Sequence, residues 1–181
     1  MTKNKIESYD GVPLRTAIKD STIIRQVIEA YGEEIRINTL KNKSIYMGHF
    51  SAKKKDLQEK PFIENSEILS IDFKKSEIYF TKSVAEKISK LKPKWLKESH
   101  FGKQFVLCHN GKIILTGYFI NSWSSYWSNT YQIYYHSLPE KKITDSLKNV
   151  RYTFSNSINF EENNLKKNID LYNAFRNRAI N

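Results

Sequence analysis

The apolar positions of this chain repeat with two periods, and the switches between them mark its elements. Ile23, Ile24, Val27, Ile28 and Tyr31 fall on one stripe at helical spacing, with Asp20 or Ser21 placed to cap that helix and Gly32 to end it. Residues 34 to 38 then alternate, with Ile35 and Ile37 on one side, and residues 44 to 50 read as a second short strand. A polar turn at 41–43 makes the two a hairpin. Residues 68–73 and 77–80 predict another hairpin around Lys74, Lys75 and Ser76. A helix follows at once. Ser83 and Glu86 have the spacing of a capping box, Val84, Ile88, Leu91 and Trp95 form a core stripe, and Pro93 breaks the last turn near Lys92.

Two apolar runs then flank Asn110 and Gly111, the dipeptide that reaches positive φ most readily and so closes a two-residue hairpin. A regular ladder from that turn pairs His109 with Lys112, Cys108 with Ile113, Leu107 with Ile114, Val106 with Leu115 and Phe105 with Thr116. Alternation puts Val106, Cys108, Ile113 and Leu115 on one face and Phe105, Leu107 and Ile114 on the other. Because both faces are apolar, the expectation is a hairpin central in its sheet and covered on both sides.

Beyond it, residues 121–129 read as a loop of Ser and aromatics, 130–136 as a strand and 150–154 as another. Leu165, Ile169, Tyr172 and Phe175 are spaced for a C-terminal amphipathic helix. Residues 1–13 predict a loose arm or an edge segment. The expected class is α+β: a mostly antiparallel sheet of hairpins with helices packed on it, the C-terminal helix covering part of the sheet. The 181 residues suit a single domain.

Composition changes this picture in three ways. Eleven Tyr, ten Phe and three Trp place the apolar weight in rings, enough for a folded core. The net charge of +11 admits an acidic partner, but its excess is +4, +4 and +3 over successive thirds, with no basic tail, so a solvated basic surface is the plainer reading. A single cysteine, Cys108, excludes an intrachain disulfide and reads as a small core residue in mid-strand. No apolar run is long enough to span a bilayer, and the start lacks the apolar segment of a signal peptide. The expected compartment is therefore extracytoplasmic if Met1 replaces a removed leader, and cytoplasmic otherwise.

No phosphate-binding glycine loop, zinc-protease motif, nucleophile elbow or cofactor pattern occurs, and His49, His100, His109 and His136 lie far apart, so no metal site and no enzyme is expected. The suggestive stretch is 122–135, SWSSYWSNTYQIYY, where rings among Ser and Asn give rigid contact area with adaptable hydrogen bonds. Trp123, Ser125, Tyr126, Trp127 and Tyr131 are the candidate contacts for a protein or peptide. Either Ile133 and Tyr135, or else Tyr131 and Tyr134, turn inward. Lys87, Lys90, Lys94 and Lys97 line one flank of the predicted helix and offer an alternative nucleic-acid or polyanion surface.

From Pro61 onward, PFIENSEILSIDFKKSEIYFTKSVAEKI followed by FGKQFVLCHNGKIILTGYFINSWSS resembles the head of the first periplasmic domain of the SecD protein-export subunit, and small exported bacterial proteins that carry this module alone. The shared pattern is Gly102 to Val106, Asn110 to Lys112, then Gly117, Phe119, Ser124 and Ser125. The resemblance covers 61–137, with 14–60 and 140–181 as additions. It implies an α+β module of an extracytoplasmic protein that binds something, without naming the ligand; with the aromatic stretch beside it, the expected function is a non-enzymatic module that contacts a protein or peptide through the aromatic loop or a sheet edge.

Overall fold

The computed structural model describes residues 1–3, 12–13, 15, 18–31, 36–37, 45–46, 49–91, 103–121, 130–135, 149–155 and 165–180. The chain begins with a short strand β1 (Val12–Pro13), the helix α1 (Ser21–Tyr31), and strands β2 (Arg36–Ile37) and β3 (Ile45–Tyr46). These strands form a three-stranded antiparallel sheet with β1 at its edge. The carboxylate of Asp20 caps α1 by accepting from the amides of Thr22 and Ile23 at 2.8 and 3.2 Å.

The larger sheet comprises β4 (Ile68–Asp72), β5 (Glu77–Thr81), β6 (Lys103–His109), β7 (Lys112–Asn121), β8 (Tyr131–Tyr135), β9 (Asn149–Ser155) and β10 (Ala179–Ile180). Their spatial order is β10-β4-β5-β9-β8-β7-β6, antiparallel except for the parallel pairs β10/β4 and β7/β8. The fold is thus α+β with a mixed, mostly antiparallel sheet. One face carries the main core, where Ile71, Ile78, Phe80, Phe119, Ile133 and Phe154 meet Val84 and Ile88 of the helix α2 (Lys82–Ser89) and Leu171 and Phe175 of the C-terminal helix α3 (Ile169–Phe175). The other face changes character across the sheet. It is polar at β5 and β9, where Arg151 pairs with Glu77 at 3.4 Å, and apolar at β6 and β7, where Phe50 packs on Tyr118 and Ile120.

The Asn110-Gly111 hairpin forms as expected, with φ of 48° and 75° at its two corners. It is not central. β6 is the rim of the sheet and the middle strand is β9, which the sequence presents as an unremarkable run. The hairpin is still covered on both faces at its base, while its tip from Cys108 to Lys112 is exposed. Cys108 is therefore not a core residue, because the rim leaves it open to solvent.

The register also departs from the regular ladder. His109 pairs with Lys112 and Cys108 with Ile113, but Leu107 then pairs with Leu115, Val106 with Thr116 and Phe105 with Gly117. Ile114 is the extra residue of a β-bulge. A bulge puts two successive side chains on one side of the strand, and Ile114 and Leu115 both pack against the main core with Phe105 and Leu107. Ile114 thus shares the face of Phe105 and Leu107 as expected and Ile113 stays opposite Cys108, while the face assigned to Leu115 by alternation alone is corrected.

Three local expectations also change. The Ser83–Glu86 capping box does not form: α2 is capped at Thr81 without a side-chain bond, and Ser83 instead donates to Glu67 at 2.7 Å. The C-terminal stripe is Leu165, Leu171, Ala174 and Phe175, whereas Ile169 is 64% exposed. A short 3-10 turn at Leu165–Lys167 ends in Asn168, whose side-chain Oδ1 caps α3 by accepting from Leu171 N at 2.9 Å, and this new start resets the helical phase. Residues 1–3 are not loose, since Lys3 N donates to Asp56 O at 2.8 Å and Gln58 N to Met1 O at 3.1 Å. The predicted edge segment is realised in β1. Gly32, the turn at 41–43, and Lys92, Pro93 and Trp95 lie outside the described residues.

Candidate functional site

A cavity of about 360 Å³ lies between the core face of the large sheet and residues 57–65, which cross over it. Its floor is hydrocarbon throughout. Ile68, Ile78, Phe80, Phe105, Phe119, Ile133 and Phe154 are all buried and contribute no polar side-chain atom. The rings of Phe105 and Phe119 meet at a tilt with centroids 5.1 Å apart, and Phe62 approaches Phe119 edge-on at 6.1 Å, so the crossing segment is held by aromatic contact. The polar lining residues Gln58, Glu59, Lys60, Glu64, Asn65 and His109 are all exposed and sit at the mouth.

Both ends of the crossing segment are pinned by carboxylates. At the first, Asp56 accepts from the amide of Lys53 at 2.7 Å, next to the Thr2–Leu57 bridge. At the second, Glu67 accepts from Lys87 Nζ at 2.7 and 2.8 Å, from Ser83 Oγ at 2.7 Å and from the amide of Glu64 at 2.9 Å. Burial raises the carboxyl pKa of Glu67, but these donors and the charge of Lys87 outweigh it and bring it down to about 2. The C-terminal helix is tethered over the hairpin tip by Lys112 and Asp170, 3.2 Å apart.

At the rim, β6 has β7 as its one neighbour among the described residues. Since His109 forms the closing pair with Lys112, alternation turns the main-chain groups of Cys108 and Val106 away from β7. Thr2 Oγ1 reaches this rim at Gln104 Oε1, 3.4 Å away. Burial pushes the Cys108 thiol pKa up against a smaller opposing effect from the nearby Met1 ammonium, so it stays a thiol near neutral pH and is a poor nucleophile.

Of the candidate contacts read from the sequence, Trp123, Ser125, Tyr126 and Trp127 lie outside the described residues, as do Lys94 and Lys97. Tyr131 is a structural residue. Its ring packs on Phe154 at 5.6 Å and its hydroxyl accepts from Asn168 Nδ2 at 2.8 Å, because β8 turns Tyr131, Ile133 and Tyr135 toward the main core. Tyr134 packs in the smaller cluster on the opposite face and donates to Gln132 Oε1. Lys87 is committed to Glu67, which leaves Lys90 as the exposed member of the lysine flank within the described residues. Among the described residues no group of three His, Cys, Asp or Glu could hold a metal ion, and no helix is long and apolar enough to cross a membrane.

The cavity was missed in the sequence because each residue of its floor, taken singly, is an ordinary core hydrophobe. Only the placement of 57–65 over the sheet brings them around one space. No family model, no curated protein and no solved structure matches this chain.

Proposed function

We propose that the chain is a non-enzymatic binding module that takes an extended segment of a protein or peptide along the β6 rim. The observation that carries this reading is the position of β6, paired on one side only among the described residues, with the main-chain groups of Val106 and Cys108 turned outward. An added strand draws its affinity from such groups and its specificity from side chains beside them. Trp123, Tyr126 and Trp127, which follow β7 in the sequence, are the side chains this proposal adds as further contacts. The resemblance of 61–137 to the SecD head supports the same class. The polyanion alternative loses support at Lys87, whose charge Glu67 already neutralises.

The test is selection of peptides from a displayed random library, followed by titration of the selected peptide against V106P and C108P. Proline is tolerated on an edge strand where its missing N–H faces outward, so both variants should keep the fold by circular dichroism and lose about tenfold or more in affinity. Selection of no saturable peptide, or wild-type affinity in both folded variants, would sink the proposal.

A further inference from the structure

The cavity supports a second inference, carried by the core face of the sheet and not by the outward main chain of β6. Its floor takes Ile68 from β4, Ile78 from β5, Phe154 from β9, Ile133 from β8, Phe119 from β7 and Leu107 from β6. These are six adjacent strands in the order of the sheet. At the usual strand spacing of roughly 4.8 Å, that path is about 24 Å long. The space of about 360 Å³ is a trough across the strands, more than twice the volume of a ~150 Å³ cavity that accepts benzene.

Chemistry restricts the occupant further. No side chain of the floor can donate or accept a hydrogen bond, so a polar atom placed there would lose its water without compensation. The polar and charged side chains of the lining, Gln58, Glu59, Lys60, Glu64, Asn65 and His109, are exposed at the mouth, and the exposed Cys108 and the partly buried Met1 complete it. An apolar trough of this size left empty forfeits packing contacts along its whole lining. A hydrocarbon chain restores them.

We infer that this trough binds the tail of a free single-chain amphiphile, one saturated chain per protein, with the headgroup at the polar mouth. Because the floor reads only the tail, chain length governs affinity and headgroup charge has little effect.

The experiment titrates the whole chain with dodecanol, dodecanoate and toluene below their aggregation limits, following thermal unfolding and isothermal heats, with phosphatidylglycerol vesicles as a separate arm. Dodecanol and dodecanoate should each saturate at one per protein and raise the melting temperature, and octanol should bind about tenfold or more weakly than dodecanol. Two variants fill the trough from different walls, A174W on α3 and I114W at the bulge, and each folded variant should lose dodecanol binding. A174W, whose position is on α3 and not on β6, should keep the affinity of the selected peptide while losing dodecanol, so failure here is separate from failure of the peptide reading. The inference is overturned if neither dodecyl compound saturates, if toluene binds as tightly, if binding occurs only on vesicles, or if both filled variants fold and bind as wild type.

Discussion

Gly117 lies beneath the ring of Phe105: a β-carbon there would stand 2.7 Å from Phe105 Cζ and 2.4 Å from the main-chain oxygen of Tyr131. The glycine is thus enclosed between its antiparallel partner Phe105 on β6 and its parallel partner Tyr131 on β8. The absence of a side chain lets the Phe105 ring fold over the strand and reach Phe119 in the cavity floor.

Replacing Gly117 by alanine should therefore be costly, by about 3 kcal/mol, at the upper end for overpacking because one clash is with main chain and cannot rotate away. Thermal unfolding should show a fall of about 10 °C. The double variant G117A/F105A relieves only the ring contact, so it should not recover stability. Recovery in that double variant would mean that the carbonyl of Tyr131 yields easily and that the ring alone sets the constraint.

Gly111 is the contrasting case. A β-carbon at this position meets nothing within 4 Å, yet its φ is +75°. The cost of G111A is therefore conformational alone, about 1 kcal/mol. Asn110, at φ 48°, should accept glycine with a change of only a few tenths of a kcal/mol. Denaturant midpoints of the two variants check this, and a loss at Gly111 as large as that at Gly117 would contradict the open space around it.

The same hairpin marks how far the sequence could be read. Its turn was legible because Asn-Gly chemistry is local, and so were the Lys74–Ser76 turn, the start of α1 at Asp20 and the strand at 150–154. The bulge was not. Ile113, Ile114 and Leu115 are all apolar, so the run has no period from which to tell a regular ladder from one with an extra residue. Strand order was equally hidden, since two apolar faces on a hairpin suit a central position and also suit a rim whose base is covered by Phe50 on one side and the main core on the other. The phase of the C-terminal helix depended on the cap at Asn168, a residue that a count from Leu165 passes straight through. Tyr131 could be assigned to a surface or to the core by composition alone, and its bond from Asn168, 37 positions along the chain, decided the matter.

Glu67 joins the crossing segment to α2, and its carboxyl pKa is lowered from 4.5 to about 2 in the folded chain. A depressed pKa means that the unfolded chain takes up the proton first. The contribution is present above pH about 4.5 and is lost as pH falls toward about 2. E67Q should remove this component, giving a flatter fall in melting temperature across that window and a lower melting temperature at pH 7. K87M should have a similar effect at pH 7, since Lys87 is the partner at 2.7 Å. A variant whose acid unfolding curve overlays that of wild type would show that the pin contributes nothing to stability.

Tyr152 sets the behaviour at the alkaline end. Its residue is 8% exposed, its ring lies 5.7 Å from that of Phe80, and burial pushes its phenol pKa up to about 12. Here the unfolded chain, with an ordinary phenol near 10, gives up its proton first. The neutral phenol therefore contributes fully below pH 10, and the contribution is lost as pH rises from there to about 12, on the order of 3 kcal/mol at about 1.4 kcal/mol per pKa unit. Burial raises Tyr134 and Tyr135 in the same direction, with Asn121 opposing the shift at Tyr135. Ultraviolet titration near 295 nm should show most tyrosines ionising smoothly and a late group released together with unfolding. In Y152F the core should stay packed at neutral pH and the alkaline transition should move to higher pH, because one phenol no longer pulls the chain open as it ionises. An unchanged alkaline midpoint in that variant would assign the late group to Tyr134 or Tyr135 instead.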